Sequence, residues 1–76
     1  MQILVELYGD LKRHAPGGQP HFMLNLDPGA TLEDIRRILA IPEGQHVSLI
    51  NGRRSNPDAP VADGDTLVFL PPISGG

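Results

Sequence analysis

The sequence predicts an α+β fold in which one helix packs on one face of a mixed β-sheet. Several short segments alternate in polarity with a period of two, which is typical of strands. One segment, from Thr31 to Ala40, repeats apolar residues at helical spacing. Nine glycines and eight prolines fall in clusters along the chain. Such clusters predict short elements joined by turns.

The first two predicted strands lie in the amino-terminal third of the chain. In residues 3–8 the side chains alternate, with Ile3, Val5 and Leu7 on one face and Leu4, Glu6 and Tyr8 on the other. A second alternating segment spans residues 22–27. The turn signal Pro16-Gly17-Gly18 stands between them. The two strands are therefore predicted to pair as a hairpin with a long loop.

The predicted helix begins at Thr31, a residue type that favours the N-cap position. Asp34, three residues later, completes a short form of the capping box. Together with Glu33 it places negative charge in the first turn, where the helix dipole favours it. The apolar stripe of this helix consists of Leu32, Ile35, Ile38 and Leu39. Pro42 is expected to end the helix near Ala40.

Three more segments complete the predicted sheet. Residues 47–50 form a short strand, and Asn51-Gly52 predicts a type I′ turn, because both central residues of that turn need positive φ. Asp63-Gly64-Asp65 is a further turn before the last strand, residues 66–70. Pro71-Pro72 ends this strand, since proline cannot donate to a ladder. The expected core is Ile3, Val5, Leu24, Leu26, Leu32, Ile35, Leu39, Leu67 and Phe69.

Length and composition exclude several classes of protein. The 76 residues fit one domain, expected to span residues 1–76, with a small core. Cysteine is absent, which excludes disulfides and thiolate chemistry. No apolar run approaches the roughly 20 residues of a membrane span, and the first residues lack a signal-peptide pattern. The formal charge of −3 does not predict nucleic-acid binding. A cytoplasmic protein without membrane partners is expected.

Charged and titratable residues give no metal or nucleotide motif. His14, His21 and His46 lack the spacing of zinc ligands, and the aspartates near the carboxyl terminus lack an EF-hand pattern. Turn chemistry accounts for those aspartates. The basic residues, all expected to face solvent, are Lys12, Arg13, Arg36, Arg37, Arg53 and Arg54. No metal site is predicted.

The outward face of the predicted sheet carries apolar residues. Leu4, Tyr8, Val68 and Leu70 are expected on that face. Isolated apolar residues are normal on protein surfaces, but a continuous strip often marks an interface. We therefore expect this strip to contact a partner.

The last fourteen residues, DGDTLVFLPPISGG, are the most specific part of the sequence. This ending, with the strand and helix order and the start Met1-Gln2-Ile3, resembles the MoaD/ThiS family of molybdopterin-synthase small subunits and thiamine sulfur carriers. The resemblance implies a ubiquitin-like β-grasp fold, with a mixed four- to five-stranded sheet and one helix on one face. It also implies a globular part, residues 1–72, and a flexible C-terminal Gly-Gly tail, residues 73–76.

The resemblance also implies a function as a protein co-substrate, with catalysis supplied by partner enzymes. A ubiquitin-activating-type adenylyltransferase would use ATP to activate the Gly76 carboxylate. A persulfide sulfur donor would then supply the sulfur of a thiocarboxylate. The acceptor would be the molybdopterin-synthase large subunit or a thiazole synthase. No tightly bound cofactor and no nucleic-acid partner are implied.

The implied site residues belong to the tail, to its base and to the outward sheet face. Gly75 and Gly76 lack Cβ, so the reactive end can enter a narrow activating site. The expected partner-binding residues are Tyr8, Val68, Leu70, Pro71, Pro72, Ile73 and Ser74. The ending is closer to the molybdopterin branch of the family. Thiamine or another thiolated product, a ubiquitin-like protein modifier and a plain binding domain remain open as alternatives.

Overall fold

A computed structural model describes residues 1–44 and 46–72. Its elements in chain order are β1 (Gln2–Leu7), β2 (His21–Asn25), α1 (Leu32–Ile38), β3 (Val47–Ile50), β4 (Arg53–Arg54) and β5 (Thr66–Leu70). Between β1 and β2 the chain forms two short 3-10 segments, Gly9–His14 and Pro16–Gly18, where the sequence predicted only a turn. The predicted tail, Ile73 to Gly76, lies outside the described residues.

The five strands form one mixed sheet in the order β2-β1-β5-β3-β4. β1 and β5 are parallel neighbours at its centre, and the other described pairs are antiparallel. Val5 pairs with Leu67 and Leu7 with Phe69, and all four side chains are fully buried. A slip of one residue would have exchanged the two faces. The predicted α+β fold and the register of β5 are therefore confirmed.

The core lies between the sheet and α1. Its buried apolar residues are Ile3, Val5, Leu7, Leu11, Leu32, Ile35, Leu39, Ile41, Val61, Leu67 and Phe69. Leu24 and Leu26, expected in the core, are only partly buried on the side of the edge strand β2. Ile38 was wrongly placed on the apolar stripe and is 59% exposed. Each helical residue turns by about 100°, so Ile38 points well away from Leu39, which fills the core.

Both ends of α1 are capped. Thr31 and Asp34 form the predicted capping box: the Asp34 carboxylate accepts from the Thr31 N–H at 2.9 Å, and Thr31 Oγ1 accepts from the Asp34 N–H at 3.3 Å. At the other end Ala40 adopts a left-handed φ of 57°. The Ala40 N–H donates to the Arg37 carbonyl and the Ile41 N–H to the Arg36 carbonyl, both at 3.1 Å. This Schellman motif ends the helix before Pro42 is reached.

Arg36 does not face solvent as the sequence predicted, because its side chain is only 14% exposed. Its Nη2 donates to the Glu33 carboxylate at 2.9 Å, and its Nη1 donates to the Ile41 carbonyl at 2.6 Å. The guanidinium therefore satisfies a carbonyl beyond the helix end. The hydrogen bond from Arg36 also lowers the pKa of Glu33.

Two turns hold the ends of the strands together. Asn51 and Gly52 both have positive φ, 51° and 83°, as the predicted type I′ turn requires. The Asn51 amide also reaches the start of β5, where its Oδ1 accepts from the Thr66 N–H at 2.9 Å. Asp63 Oδ1 accepts from the Gln2 N–H at 2.7 Å, and Asp65 Oδ2 accepts from the Ala62 N–H at 2.8 Å. The two aspartates thus stabilise the turn before β5 by accepting hydrogen bonds from main-chain N–H groups.

Two surveys cover the part of the chain that the structure describes. Within residues 1–44 and 46–72, no three His, Asp or Glu side chains are grouped so that they could hold a metal ion. No helix in the same ranges is long and apolar enough to cross a membrane.

His46 packs against the core, with its ring centroid 5.4 Å from that of Phe69. Burial lowers the pKa of His46, because the charged ring loses its hydration. The charge of Arg36 acts in the same direction, whereas the nearby Pro42 carbonyl and Glu33 oppose it. Protonation of His46 therefore opposes folding.

Replacing Ala40 by glycine should stabilise the protein. A non-glycine residue in the left-handed region costs about 1–2 kcal/mol, and glycine removes this cost. Glycine also loses more backbone entropy on folding than alanine, which offsets part of the gain. The free energy of unfolding, measured by urea denaturation, should rise by about 0.5–1 kcal/mol. Ala62→Gly is the control, because Ala62 is also exposed but lacks a positive φ. It should be destabilising, and equal effects of the two substitutions would contradict this account.

The stability should depend on pH through His46. Because its folded-state pKa lies below the unfolded value of about 6.5, the unfolded chain binds more protons near that pH. The contribution of neutral His46 to the free energy of unfolding should therefore be fully present above about pH 6.5. It should be lost as the pH falls through the folded-state pKa. Urea denaturation across this pH range should show that the free energy of unfolding depends less on pH in His46→Gln than in the wild-type protein. An equally steep decrease of the free energy of unfolding in His46→Gln would contradict this account.

Candidate functional site

The sheet face opposite α1 forms the open face of the molecule. Cross-strand pairing determines its membership, since paired residues point to the same side. Its members on the four longer strands are Gln2, Leu4, Glu6, His21, Met23, Asn25, Val47, Leu49, Thr66, Val68 and Leu70. Among the described residues, α1 packs on the opposite side of the sheet, and no side chain of the open face belongs to the buried core.

Four apolar members of the open face are direct neighbours and are called the apolar patch below. Val68 pairs with Leu49, and Leu70 pairs with Val47. All four side chains are half-buried, so each keeps part of its apolar surface in contact with solvent. The sequence predicted Val68 and Leu70 on this face and missed the other two. Their alternation was visible, but only the β3–β5 pairing shows that they adjoin β5.

Tyr8 lies beside Glu6 and His21, at the polar corner of the open face. Its hydroxyl donates to Glu6 Oε1 at 2.5 Å, and its ring stands edge-on to the His21 ring, with centroids 5.8 Å apart. The hydrogen bond to Glu6 raises the pKa of Tyr8. Tyr8 therefore presents a neutral, oriented phenol. Its main-chain N–H donates to the Phe69 carbonyl at 3.1 Å, which places it near the end of β5.

The tail base, Pro71 and Pro72, follows β5 directly and is exposed. A groove of about 350 Å³ runs beside it, lined by Asp10, Leu11, Arg13, His14, Pro42, Pro71 and Pro72. The sequence did not predict this groove, because its walls come from three segments that are distant in the chain. The site residues Ile73, Ser74, Gly75 and Gly76 lie outside the described residues, so their predicted roles remain predictions.

The arrangement therefore brings the apolar patch and the tail base together. Leu70 belongs to the patch, and the next residue is Pro71. A partner that covers the open face would reach the tail base without crossing the rest of the molecule. Neither feature is a catalytic group, since an apolar patch and two prolines supply no acid, base or nucleophile.

Comparison with known families shows to which family the chain belongs. The sequence model of the ThiS family matches residues 5–76 of the chain. The chain belongs to the ThiS family. The match covers β1 from Val5 onward and extends through the terminal Gly75-Gly76 pair. No curated protein sequence matches this ThiS-family chain significantly.

Solved structures share its fold. SAMP1 from Haloferax volcanii is 24% identical, with 100% of both chains covered and a TM-score of 0.80. A putative molybdopterin converting factor subunit 1 from Pyrococcus furiosus is 20% identical over 95% of this chain and 98% of that chain, with a TM-score of 0.79. A chain in a complex of subunits 1 and 2 of the molybdopterin-converting factor from Helicobacter pylori is 26% identical over 100% of both chains, with a TM-score of 0.68.

These likenesses confirm the ubiquitin-like β-grasp fold expected from the sequence. The same architecture occurs in a subunit of a molybdopterin-converting factor and in SAMP1. The fold is therefore that of ThiS/MoaD-type sulfur carriers and ubiquitin-like modifiers. It does not by itself decide between these two uses, because one fold supports several functions.

Introducing a charge into the apolar patch should weaken partner binding. Leu70→Asp would place a carboxylate in an apolar contact, where its desolvation is not compensated. The dissociation constant of the complex with a protein that binds the open face, measured by calorimetry, should rise about tenfold or more.

The matched control is Ile38→Asp, which adds the same charge at a 59% exposed apolar residue on α1. It should leave the affinity unchanged, and circular dichroism should show that both variants are folded. An unchanged affinity of Leu70→Asp for that protein would remove Leu70 from the site.

Proposed function

We propose that this chain is a sulfur carrier whose C-terminal Gly76 carboxylate is adenylated and then converted to a thiocarboxylate. The ThiS-family match, which extends through residue 76, is the observation that carries this proposal. On this proposal the chain is a co-substrate and not an enzyme. ATP is bound and consumed by a ubiquitin-activating-type adenylyltransferase.

The chemistry requires activation because a carboxylate resists attack by nucleophiles. Adenylation converts the Gly76 carboxylate to a mixed anhydride, from which AMP is a good leaving group. The outer sulfur of a persulfide donor then attacks the carbonyl carbon and displaces AMP, which gives an acyl disulfide. A thiol supplied by the donor system cleaves its S–S bond, releases the thiocarboxylate and is left as a disulfide with the donor. Gly75 and Gly76 suit this step, because the absence of Cβ lets a narrow active site surround the main chain.

The geometry of the described residues supports this use of the tail. β5 is an internal strand, hydrogen-bonded to β1 on one side and to β3 on the other. The tail base therefore starts from a well-anchored part of the molecule. The apolar patch ends at Leu70, directly before the tail base. A partner can thus hold the patch and receive the tail at the same time.

We further propose molybdopterin synthesis as the pathway, with a molybdopterin-synthase large subunit as the sulfur acceptor. Support comes from the Helicobacter pylori complex, in which a 26% identical subunit 1 is bound to subunit 2. Thiamine is the alternative, and there a thiazole synthase would accept the sulfur. The family name itself favours neither branch for this chain.

The second candidate function is protein modification. The likeness to SAMP1, a small archaeal modifier protein, motivates this alternative. An amine would then attack the adenylated carboxylate and form an amide. Lys12 is the one lysine of the sequence. Isopeptide-linked chains of this protein would therefore contain a Gly76–Lys12 linkage.

Mass spectrometry distinguishes these outcomes. The chain is incubated with the adenylyltransferase of its source organism, ATP, a persulfide donor and a thiol reductant. Exchange of one carboxylate oxygen for sulfur should add about 16 Da at the C-terminal residue. Protein modification would instead produce amide-linked adducts in a cell extract. Molybdopterin or thiazole formation with each purified acceptor then assigns the pathway.

Two variants control this test. Deletion of Gly76, and extension by one alanine, should both abolish the mass increase while urea denaturation gives a nearly unchanged free energy of unfolding. The reacting carboxylate is displaced in each case, whereas the core is untouched. Sulfur transfer by the Gly76-deleted chain at the wild-type rate would show that the proposed mechanism is wrong.

A further inference from the structure

Gly9, the first residue of the 3-10 segment after β1, lies against the tail base. A Cβ placed on Gly9 would stand 2.7 Å from Pro71 Cγ and 3.3 Å from Pro71 Cδ. Carbon atoms in favourable contact are about 3.5–4.0 Å apart. The Pro71 ring therefore occupies the space that a side chain at position 9 would need.

Both partners in this contact lie close in the chain to residues of the core. Gly9 lies between the buried residues Leu7 and Leu11, and Pro71 lies two residues beyond buried Phe69. The Tyr8 N–H donates to the Phe69 carbonyl at 3.1 Å and joins the two segments. The contact is therefore fixed from both sides.

The ring itself offers little relief. A change of ring pucker can shift Cγ, but Cδ is bonded to the Pro71 nitrogen and follows the main chain. Since Cδ is also closer than an ordinary contact, a side chain at position 9 would displace the Pro71 backbone. Because the ring fixes φ in both prolines, rotation about φ cannot absorb this displacement, and Pro72 would move as well.

We propose that Gly9 is a positioning residue for the C-terminal tail, and this inference rests on the proposed function. By leaving room for the Pro71 ring, Gly9 sets the direction in which the chain leaves the sheet. The four residues from Ile73 to Gly76 span at most about 14 Å when fully extended. A partner that holds both the apolar patch and the Gly76 carboxylate requires the tail base at a defined place.

The sequence provides a matched control for this inference. Gly17 has φ of 62°, nearly the 60° of Gly9, but a Cβ on Gly17 would meet no atom within 4 Å. Gly9→Ala and Gly17→Ala therefore both place an alanine at the same left-handed φ. They differ in the collision with Pro71. A double variant, Gly9→Ala with Pro71→Ala, removes the ring atoms that cause the collision.

The kinetic test is ATP–pyrophosphate exchange by the adenylyltransferase of the source organism, at a temperature where circular dichroism shows every variant folded. Gly9→Ala should lower kcat about tenfold or more, because a misplacement of about 1 Å can cost a hundredfold in rate. The KM for the carrier should stay within about twofold, because the apolar patch still binds the enzyme. Gly17→Ala should leave both constants close to the wild-type values.

The double variant tests the contact itself. In the Pro71→Ala background, the substitution Gly9→Ala should have no further effect on kcat, since the colliding atoms are gone. If Gly9→Ala and Gly17→Ala show equal kcat values, Gly9 has no positioning role. The inference is equally wrong if Gly9→Ala lowers kcat as much in the Pro71→Ala background as it does in the wild-type chain.

NMR gives a readout that does not depend on activity. The wild-type protein should show a nuclear Overhauser effect between the Gly9 Hα and the Pro71 ring protons. In Gly9→Ala the Cα–Hα residual dipolar couplings of residues 70–72 should change, whereas Gly17→Ala should preserve them. Unchanged couplings in Gly9→Ala would overturn the inference. Absence of exchange with the wild-type chain would instead contradict the proposed function, and the couplings would still decide the role of Gly9.

Discussion

The parallel pairing of β1 with β5 is the interaction on which the rest of the structure depends. It joins segments about sixty residues apart and buries Val5, Leu7, Leu67 and Phe69 at the centre of the core. β2 pairs with one side of these two strands and β3 with the other. α1 covers the sheet face on which the four buried side chains lie. Because both central strands alternate in polarity, their pairing also determines which side chains remain on the open face.

The division between the two faces separates stability from recognition. The face toward α1 holds the side chains that exclude water, so substitutions there would chiefly affect folding. The open face holds the apolar patch, whose residues contribute little to that core. On the proposed function, a carrier that binds an activating enzyme and then an acceptor benefits from this separation. Its contact surface can vary with its partners while the pairing that supports the tail base stays constant.

Local patterns predicted much of this fold, but contacts between distant segments were missed. Alternation was sufficient to place Leu67 and Phe69 inside, and the Asn51-Gly52 pair was sufficient to predict its turn. Leu11 is buried from a short 3-10 segment, and Ile41 and Val61 are buried from irregular segments, so the periodicity of a strand or an α-helix could not identify them. Val47 and Leu49 joined the site only through the strand order. The Gly9–Pro71 contact depends on two segments whose sequences are each ordinary.

Parallel central strands also give the molecule a direction. β1 and β5 run in the same direction, so both begin at one end of the sheet and finish at the other. The Met1 amine and Pro72 therefore lie at opposite ends. A six-residue strand separates these ends by about 20 Å. The Met1 amine is hydrogen-bonded to the Leu26 carbonyl at 2.7 Å, far from the tail base. A fluorescent label or surface tether attached there would therefore lie at the end of the sheet opposite the tail base.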